Sequence, residues 1–248
     1  MKFSYHSDIG LKRAANQDRC CVLSNQAQQT FGIVCDGMGG HLAGETAAQM
    51  ALDILCQAFI EKERFYSVTE ASQWLLDAVE KANRAIYIDA NSDTNHQGMG
   101  TTLVAVLVIQ HSLIVCHAGD SRAYIYANAK LQQLTKDHTY VNLLVENGSI
   151  NKEQAQFHPQ KNVLMKAVGV FENLVTSHKI YDDMQGTLLL CSDGLYNLVS
   201  DIEMMNVLAQ ATSLEDKTLQ LIQIAKQNGG FDNISCVLID LGGGVNDE

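Results

Sequence analysis

The sequence predicts an α+β fold, a four-layer α-β-β-α sandwich in which two mainly antiparallel sheets pack face to face with helices outside. Three observations support this class. Short strand patterns follow one another too closely for helical crossovers, the helix patterns come in pairs, and the two kinds of element occur in separate runs. At 248 residues, the chain is long enough to form the sandwich as one domain.

The first run starts with strands and continues with a pair of helices. The strand patterns span residues 3–7, 19–23 and 30–35. The polar stretch 24–29 predicts a hairpin turn between the last two strands. Apolar residues at helical spacing predict one helix from Gly44 and a second over 69–89, both with a face in the core. A polar linker at 91–99 ends this run.

The second run begins with closely spaced strands, for which we expect antiparallel hairpins. These strand patterns span residues 101–109, 112–117, 121–126 and 130–134. A polar insertion at 137–169 follows, with a short helix near 141–146 and a second helix start at Asn151. The last elements are strands at 174–179, 187–191 and 234–241, a helix at 201–210, and a helix that Ser213 opens like a capping box. Residues 242–248 form a short polar tail that we expect to fray.

The composition excludes some classes of protein. Lys and Arg number 17 against 28 Asp and Glu, and this net charge of -11 argues against binding to nucleic acid or to an anionic membrane surface. The longest apolar run, 103–109, is far shorter than the roughly 20 residues of a membrane helix. The seven cysteines lack C-x-x-C spacing and are expected to be free thiols. We therefore expect a cytoplasmic protein.

Asp36 begins the candidate site, because an apolar strand pattern ends there and a glycine-rich turn follows. A cation can reach a carboxylate at a strand end, and glycines let a main-chain carbonyl approach the same ion. For an isolated match, ordinary turn chemistry is the more frequent explanation. Asp18, Asp120, Asp193 and Asp232 repeat this placement at strand boundaries, which independent turns explain less well.

The chemistry that these carboxylates favour is metal-assisted. Oxygen ligands without a His or Cys cluster favour Mg²⁺ or Mn²⁺ over zinc. Two such ions bridged by one carboxylate hold a water of lowered pKa and stabilise displacement at phosphorus. Arg13, five residues before Asp18, offers a planar fork for a phosphate group. The residues therefore predict a phosphatase.

Six motifs, in this order, resemble those of the metal-dependent Ser/Thr protein phosphatases (PPM, type 2C), of the compact bacterial kind, along nearly the whole chain. The motifs are Gly10-x-x-Arg13-x-x-Asn16-Gln17-Asp18, Asp36-Gly37-Met38-Gly39-Gly40-His41, Gly100-Thr101-Thr102, Gly119-Asp120-Ser121-Arg122, Ser192-Asp193-Gly194 and Asp232-Asn233. The resemblance implies a single catalytic domain over 1–241, with the insertion at 137–169 as the flap beside the active site.

The resemblance also implies roles for individual residues. Asp36 would bridge two Mn²⁺ or Mg²⁺ ions, which Asp193, Asp232 and the Gly37 carbonyl would help to hold, and Asp120 would join Asp193 around a weaker third ion. By the same resemblance, Asp18 would orient metal-bound water, Arg13 would bind the phosphate, and Asn233 would support the site.

Two positions depart from the family pattern. Eukaryotic members have a proposed general-acid His where this chain has Met38, and His41 is a substitute candidate. The alternative, that His41 only caps or orients the following helix, is equally open. Lys161 stands where bacterial relatives often carry Arg, so a second phosphate contact there stays open.

The function expected from residues and resemblance together is hydrolysis of phosphoserine and phosphothreonine by attack of a metal-bridging water. The expected partners are a bacterial Ser/Thr kinase and its substrates, and the expected state is a monomer. Two alternatives are a phosphatase of small phosphomonoesters and a phosphoprotein-binding pseudoenzyme. The presence of every acidic residue named above, and of Arg13, argues against the pseudoenzyme.

Overall fold

The computed structural model describes residues 1–40 and 42–242, and within them the strands form two sheets whose paired neighbours are all antiparallel. The first sheet has the order β1 (Phe3–Asp8), β11 (Ile234–Asp240), β10 (Thr187–Cys191), β7 (Arg122–Ala127) and β8 (Lys130–Gln133). The second has the order β2 (Asp18–Ser24), β3 (Thr30–Met38), β5 (Leu103–Ile109), β6 (Ser112–Ala118) and β9 (Ser177–Asp182), and β4 (Gly100–Thr101) pairs with β3.

The interface between the sheets is built from alternate residues of each strand. In β5, Val104, Val106 and Val108 face the first sheet, where they meet residues such as Leu190 and Val237. The intervening residues of β5 belong to the core beneath the helices. A strand that is buried on both faces has no polar side, which explains the unbroken apolar run at 103–109.

Helices cover the outer face of each sheet, so the predicted four-layer sandwich is confirmed. On the second sheet lie α1 (Ala43–Ile60) and α2 (Val68–Ser92), and the insertion contains α3 (Tyr140–Glu146) and α4 (Lys152–Gln156). On the first sheet lie α5 (Asp193–Tyr196), α6 (Asp201–Leu208) and α7 (Leu214–Gln227). Ser213 caps α7 by accepting the Asp216 N–H, as its sequence predicts.

Several boundaries differ from the predictions. The third strand continues to Met38 because its last residues pair with Gly100 and Thr101, so Asp36 lies inside a strand and not at its exit. The predicted hairpin between β6 and β7 is wrong, since these strands belong to different sheets. The short helix α5 was not predicted, and the strand expected at 174–179 is β9, three residues further along. Of the predicted tail at 242–248, residues 243–248 lie outside the described residues.

Four aromatic side chains join the second sheet to its helices. Phe31 of β3 stacks on Phe59 of α1, with ring centroids 5.3 Å apart. The Trp74 ring of α2 meets Phe31 edge-on at 6.1 Å and Phe65 at 5.1 Å. Phe59 is only 1% exposed, so its ring is surrounded by core on all sides. The cluster ties strand, helix and loop into one packing unit.

We predict that Phe59→Ala lowers the free energy of unfolding by about 3–5 kcal/mol, because it removes a fully packed ring and leaves a cavity. Urea denaturation measures the change. The control is Phe157→Ala, where the ring is 85% exposed. This control should move the unfolding free energy by no more than about 0.5 kcal/mol. Equal effects of the two substitutions would show that the aromatic cluster does not hold the layers together.

Candidate active site

The candidate site is a cavity of about 440 Å³ at the end of the sandwich where several strand termini meet. Because neighbouring strands are antiparallel, the end of β3 lies beside the start of β5, and the end of β10 lies beside the starts of β7 and β11. The predicted site residues that line this cavity are Arg13, Asp36, Gly37, Asp120, Asp193, Asp232 and Asn233. The topology therefore brings together residues that are far apart in sequence.

Asp36 is held in place through its main chain. Its N–H donates to the Thr102 hydroxyl at 3.0 Å, and its carbonyl accepts the Thr102 N–H at 2.8 Å. The Thr101 hydroxyl donates to the same carbonyl at 2.9 Å. Thr102 is itself fixed by a buried hydrogen bond of 2.7 Å to the Ser121 hydroxyl. The carboxylate of Asp36 is therefore presented to the cavity from a rigid backbone.

Asp18 lies directly opposite Asp36 in the β2–β3 register, but it sits behind the cavity wall and is only 1% exposed. The Ser192 hydroxyl donates to its Oδ2 at 2.6 Å, and the Ser235 N–H donates to the Ser192 oxygen at 3.0 Å. Ser192 directly follows β10 of the first sheet, and Asp18 begins β2 of the second. This hydrogen bond consequently joins the two sheets next to the site.

The segments that carry Asp120 and Asp193 are linked through a partly buried arginine. Arg122, two residues after Asp120, donates to both carboxylate oxygens of Asp137, with the shortest distance 2.6 Å. Its guanidinium also lies 3.6 Å from the ring centroid of Tyr196, three residues after Asp193 in α5. This stack fixes the start of the 137–169 insertion against both acidic segments.

Arg13 is brought to the cavity by a loop that Asn233 secures. The Asn233 amide donates to the carbonyls of Ile9 at 2.9 Å and Ala15 at 3.0 Å, and its oxygen accepts the Gln17 N–H at 2.8 Å. Arg13 Nη2 lies 2.7 Å from Asp232 Oδ2, and the Arg13 side chain remains 53% exposed. The guanidinium can therefore be reached by a ligand that enters the cavity.

Two glycines are required by close backbone packing at the site. A Cβ on Gly37 would lie 2.1 Å from the main-chain carbonyl oxygen of Gly44, and a Cβ on Gly194 would lie 1.9 Å from the main-chain carbonyl oxygen of Asn233. A larger residue would push α1 away from the end of β3, which carries Asp36, or push α5, which carries Asp193, away from the start of β11. The glycines beside these aspartates thus serve the packing of the site as well as its turns.

Burial and mutual repulsion raise the pKa of the clustered carboxyls. Burial is the main cause for Asp36, whose pKa lies well above its ordinary value, and repulsion from Asp18 and Asp193 adds to it. For the same reasons, the pKa of Asp18 is raised to about 7, that of Asp120 to about 7 and that of Asp193 to about 6. The site is therefore a place where additional positive charge is strongly favourable.

The comparison of sequence and structure leaves one predicted site residue undecided and adds others. His41 lies outside the described residues, so its role stays a prediction. Thr102 lines the cavity, as do Asn162 and Leu164 from the insertion. No individual role was predicted for Thr102 or Ser192. Both belong to motifs named above, Gly100-Thr101-Thr102 and Ser192-Asp193-Gly194, and this membership was the available signal.

Known proteins share this architecture. A family model described as Protein phosphatase 2C matches residues 11–238. The serine/threonine phosphatase stp of Listeria monocytogenes is 39% identical over 241 residues, covering 97% of this chain and 96% of that protein. The crystal structure of serine/threonine phosphatase Stp1 from Staphylococcus aureus has a TM-score of 0.91 at 35% identity, covering 98% of this chain and 95% of that one.

A third match contains metal. The catalytic domain of the serine/threonine protein phosphatase PstP, in complex with two manganese ions, has a TM-score of 0.84 at 33% identity and covers 96% of this chain and 97% of that one. The family match spans nearly all of the sequence, and the cavity contains the acidic residues on which the resemblance rests. This chain belongs to the protein phosphatase 2C family.

Proposed function

We propose that this protein is a metal-dependent protein serine/threonine phosphatase. The observation that carries the proposal is the charge of the cavity. Four carboxylates line it, from Asp36, Asp120, Asp193 and Asp232, and Arg13 is the one cationic side chain among the described residues that line it. Such a cavity repels a phosphate dianion unless divalent cations offset the acidic charge. The named relatives, which are Ser/Thr phosphatases, support the same reaction.

The donor set fits hard divalent cations. Carboxylate oxygens and a main-chain carbonyl are the ligands that Mn²⁺ and Mg²⁺ prefer. We propose Asp36, Asp193, Asp232 and the Gly37 carbonyl as ligands of two ions, and Asp120 with Asp193 for a weaker third. In the PstP complex two manganese ions are bound, which supports the number proposed for the main site. Raised pKa values at Asp36 and Asp193 are the electrostatic counterpart of this donor set.

The ligands do not form a finished cage. In the described part of the chain, no group of three Asp, Glu, His or Cys side chains already converges as a metal site. The ion pair between Arg13 and Asp232 is one reason, since it occupies Asp232 Oδ2. We propose that this pair opens when the site is loaded, which frees Asp232 for a cation and Arg13 for the substrate. The same contact keeps Arg13 aimed at the cavity before substrate arrives.

Each residue then has a limited task. When bound, the cations supply a water of lowered pKa and offset charge on the phosphoryl group. Arg13 binds phosphate oxygens through two parallel N–H donors and so orients the phosphorylated side chain. Asp18, whose Oδ2 accepts the Ser192 hydroxyl behind the cavity wall, would orient a metal-bound water from that side. His41 as general acid stays a prediction.

A neighbouring groove fits a protein substrate better than a small ester. A cavity of about 480 Å³ adjoins the site, and Asn162, Asp120 and Asp193 line both spaces. The insertion at 137–169, which we propose as the flap of a single domain over 1–241, supplies much of its wall, including Lys152. A groove of this size can hold the peptide that flanks a phosphorylated residue.

The remaining assignments stay predictions. They are the opposing bacterial Ser/Thr kinase, the monomeric state, the cytoplasmic location and the preference between Mn²⁺ and Mg²⁺. Among the helices of residues 1–40 and 42–242, none is both long and apolar enough to cross a membrane.

We predict that Asp36→Asn lowers kcat on a phosphothreonine peptide by about a thousandfold or more, because it removes the proposed bridging charge. Phosphate release is measured with Mn²⁺, with Mg²⁺ and with a chelator. The control, Asp53→Asn on the exposed side of α1, should retain the wild-type rate. Wild-type turnover in Asp36→Asn would refute the bridging role. A wild-type protein that binds the peptide but is inactive with either metal would be a pseudoenzyme.

A second prediction concerns metal binding without any reading of activity. Excess Mn²⁺ should raise the thermal midpoint of the wild-type protein, since a ligand at a hundred times its Kd adds about 2.7 kcal/mol of stability. The rise should be absent in Asp36→Asn and unchanged in Asp53→Asn. The same rise in all three proteins would place the bound metal elsewhere.

A third prediction separates substrate binding from catalysis. Arg13→Ala should raise KM for the phosphopeptide by roughly tenfold to a hundredfold, the equivalent of a charge-assisted hydrogen bond to phosphate. Lys12→Ala, one residue away and also exposed, is the matched control. Steady-state kinetics at saturating metal measures both variants. An unchanged KM in Arg13→Ala would mean that this guanidinium does not hold the phosphate.

A further inference from the structure

A further large cavity lies between the insertion at 137–169 and the strands β6 and β9. Its volume is about 560 Å³, within the range of sites for small organic ligands. Its apolar lining comes from Val115, Leu134, Leu143 and Met165. Leu143 is 46% exposed and Met165 43% exposed, although both side chains are apolar and face this space. We call it the back cavity.

The basic groups of the back cavity outnumber its acidic groups. Asp137 is neutralised by Arg122, and Glu146 is paired with Lys136. Two further lysines line the cavity, Lys166 and Lys179. Neither has an acidic partner among the described residues, in a protein whose net charge is -11. The cavity therefore offers a local positive charge beside an apolar surface.

A stacked pair of histidines forms the inner wall. The rings of His117 and His138 lie parallel with their centroids 4.5 Å apart. Burial lowers the pKa of both imidazoles, that of His138 to about 3, so the rings stay neutral at physiological pH. Nε2 of His138 lies 2.8 Å from the Ser177 hydroxyl. A flat, neutral, aromatic surface of this kind suits the apolar body of a ligand.

The back cavity shares a wall with the catalytic cavity. Asn162 and Leu164 line the catalytic cavity, whereas Met165 and Lys166, on the same segment, line the back cavity. This segment pairs with the start of the flap, since Met165 N–H donates to the His138 carbonyl at 2.8 Å. A ligand on one face of the wall is therefore in direct contact with the segment that forms the other face.

His138 connects the wall to the acidic site. The main-chain N–H of His138 donates to the Gly119 carbonyl at 2.9 Å, and its ring Nδ1 accepts the Gly119 N–H at 3.2 Å. Gly119 precedes Asp120, which lines the catalytic cavity. The position of the Asp120 segment is thus tied to the back cavity by two hydrogen bonds.

We infer that the back cavity is a regulatory site for a small organic anion with an apolar body, whose charge is bound by Lys166 and Lys179. Occupancy of this site changes turnover by fixing the shared wall. The volume, the apolar lining and the two lysines without an acidic partner among the described residues define the ligand class, and the His138 contacts define the route to the catalytic cavity. Lys179 Nζ also lies 4.7 Å from the ring centroid of Tyr181, a contact that leaves its charge available to an anion.

The test uses 8-anilinonaphthalene-1-sulfonate, an apolar aromatic anion whose fluorescence rises on binding. The wild-type protein should bind it saturably, and Lys166→Glu with Lys179→Glu should weaken binding by about tenfold or more. The control is Lys81→Glu with Lys130→Glu, which makes the same charge change at exposed positions elsewhere. Leu143→Ser should weaken binding as well, because it removes apolar lining. Thermal midpoints and near-ultraviolet circular dichroism confirm that each variant is folded.

Two further measurements determine whether the probe binds in the back cavity or in the catalytic cavity, and whether its binding regulates turnover. Inorganic phosphate, which is the product of the proposed reaction, should not displace the probe. Saturating probe should change kcat on p-nitrophenyl phosphate in the wild-type protein and not in the Lys166→Glu, Lys179→Glu variant. Displacement by phosphate, or equal binding in both double variants, would overturn the site. Binding without any change in kcat would overturn its regulatory role, and these binding results hold even if the protein lacks phosphatase activity.

Discussion

The structure depends on how closely like charges are held at the end of the sandwich. Asp18 and Asp36 face each other across two paired strands, and Asp193 and Asp232 approach them from the other sheet. Free side chains would separate under this repulsion, so the positions must be fixed by their backbones. That rigidity comes from the hydrogen bonds of the Thr101 and Thr102 hydroxyls with the main chain of Asp36, and from the loop that Asn233 holds. The stability lost by crowding the acids is offset by three apolar cores, one between the sheets and one beneath the helices on each outer face.

The sequence predicted the elements and their class well because the local patterns agree with the tertiary environment. β5 is apolar throughout because it is buried on both faces, and α2 has a single apolar stripe because only one face meets the sheet. Strand spacing reveals that two strands are antiparallel but not which sheet each joins. The link between β6 and β7 was therefore assigned as a hairpin, although it carries Asp120 from one sheet to the other.

Site residues could be predicted where their side-chain type and neighbouring residues indicate their chemistry. They could not be predicted where their role depends on a partner that is distant in the sequence. Aspartates beside glycines could be identified along the chain. The role of Ser192 could not be predicted, although the residue lies in a recognised motif, because it is a hydrogen bond to Asp18, 174 positions away. The pairing of Arg13 with Asp232 spans 219 positions and was equally hidden. The sequence indicated both residues but not that each holds the other.

The hydrogen bond from Ser192 to Asp18 makes the site sensitive to small changes in the packing of the two sheets. This hydrogen bond crosses the junction between the sheets at the site itself. The distances between the acidic side chains therefore depend on the separation of the two sheets. A slight widening of that junction would leave both sheets and their helices formed while pulling the two halves of the cluster apart. Substitutions that loosen the core between the sheets should therefore abolish activity before circular dichroism detects any loss of secondary structure.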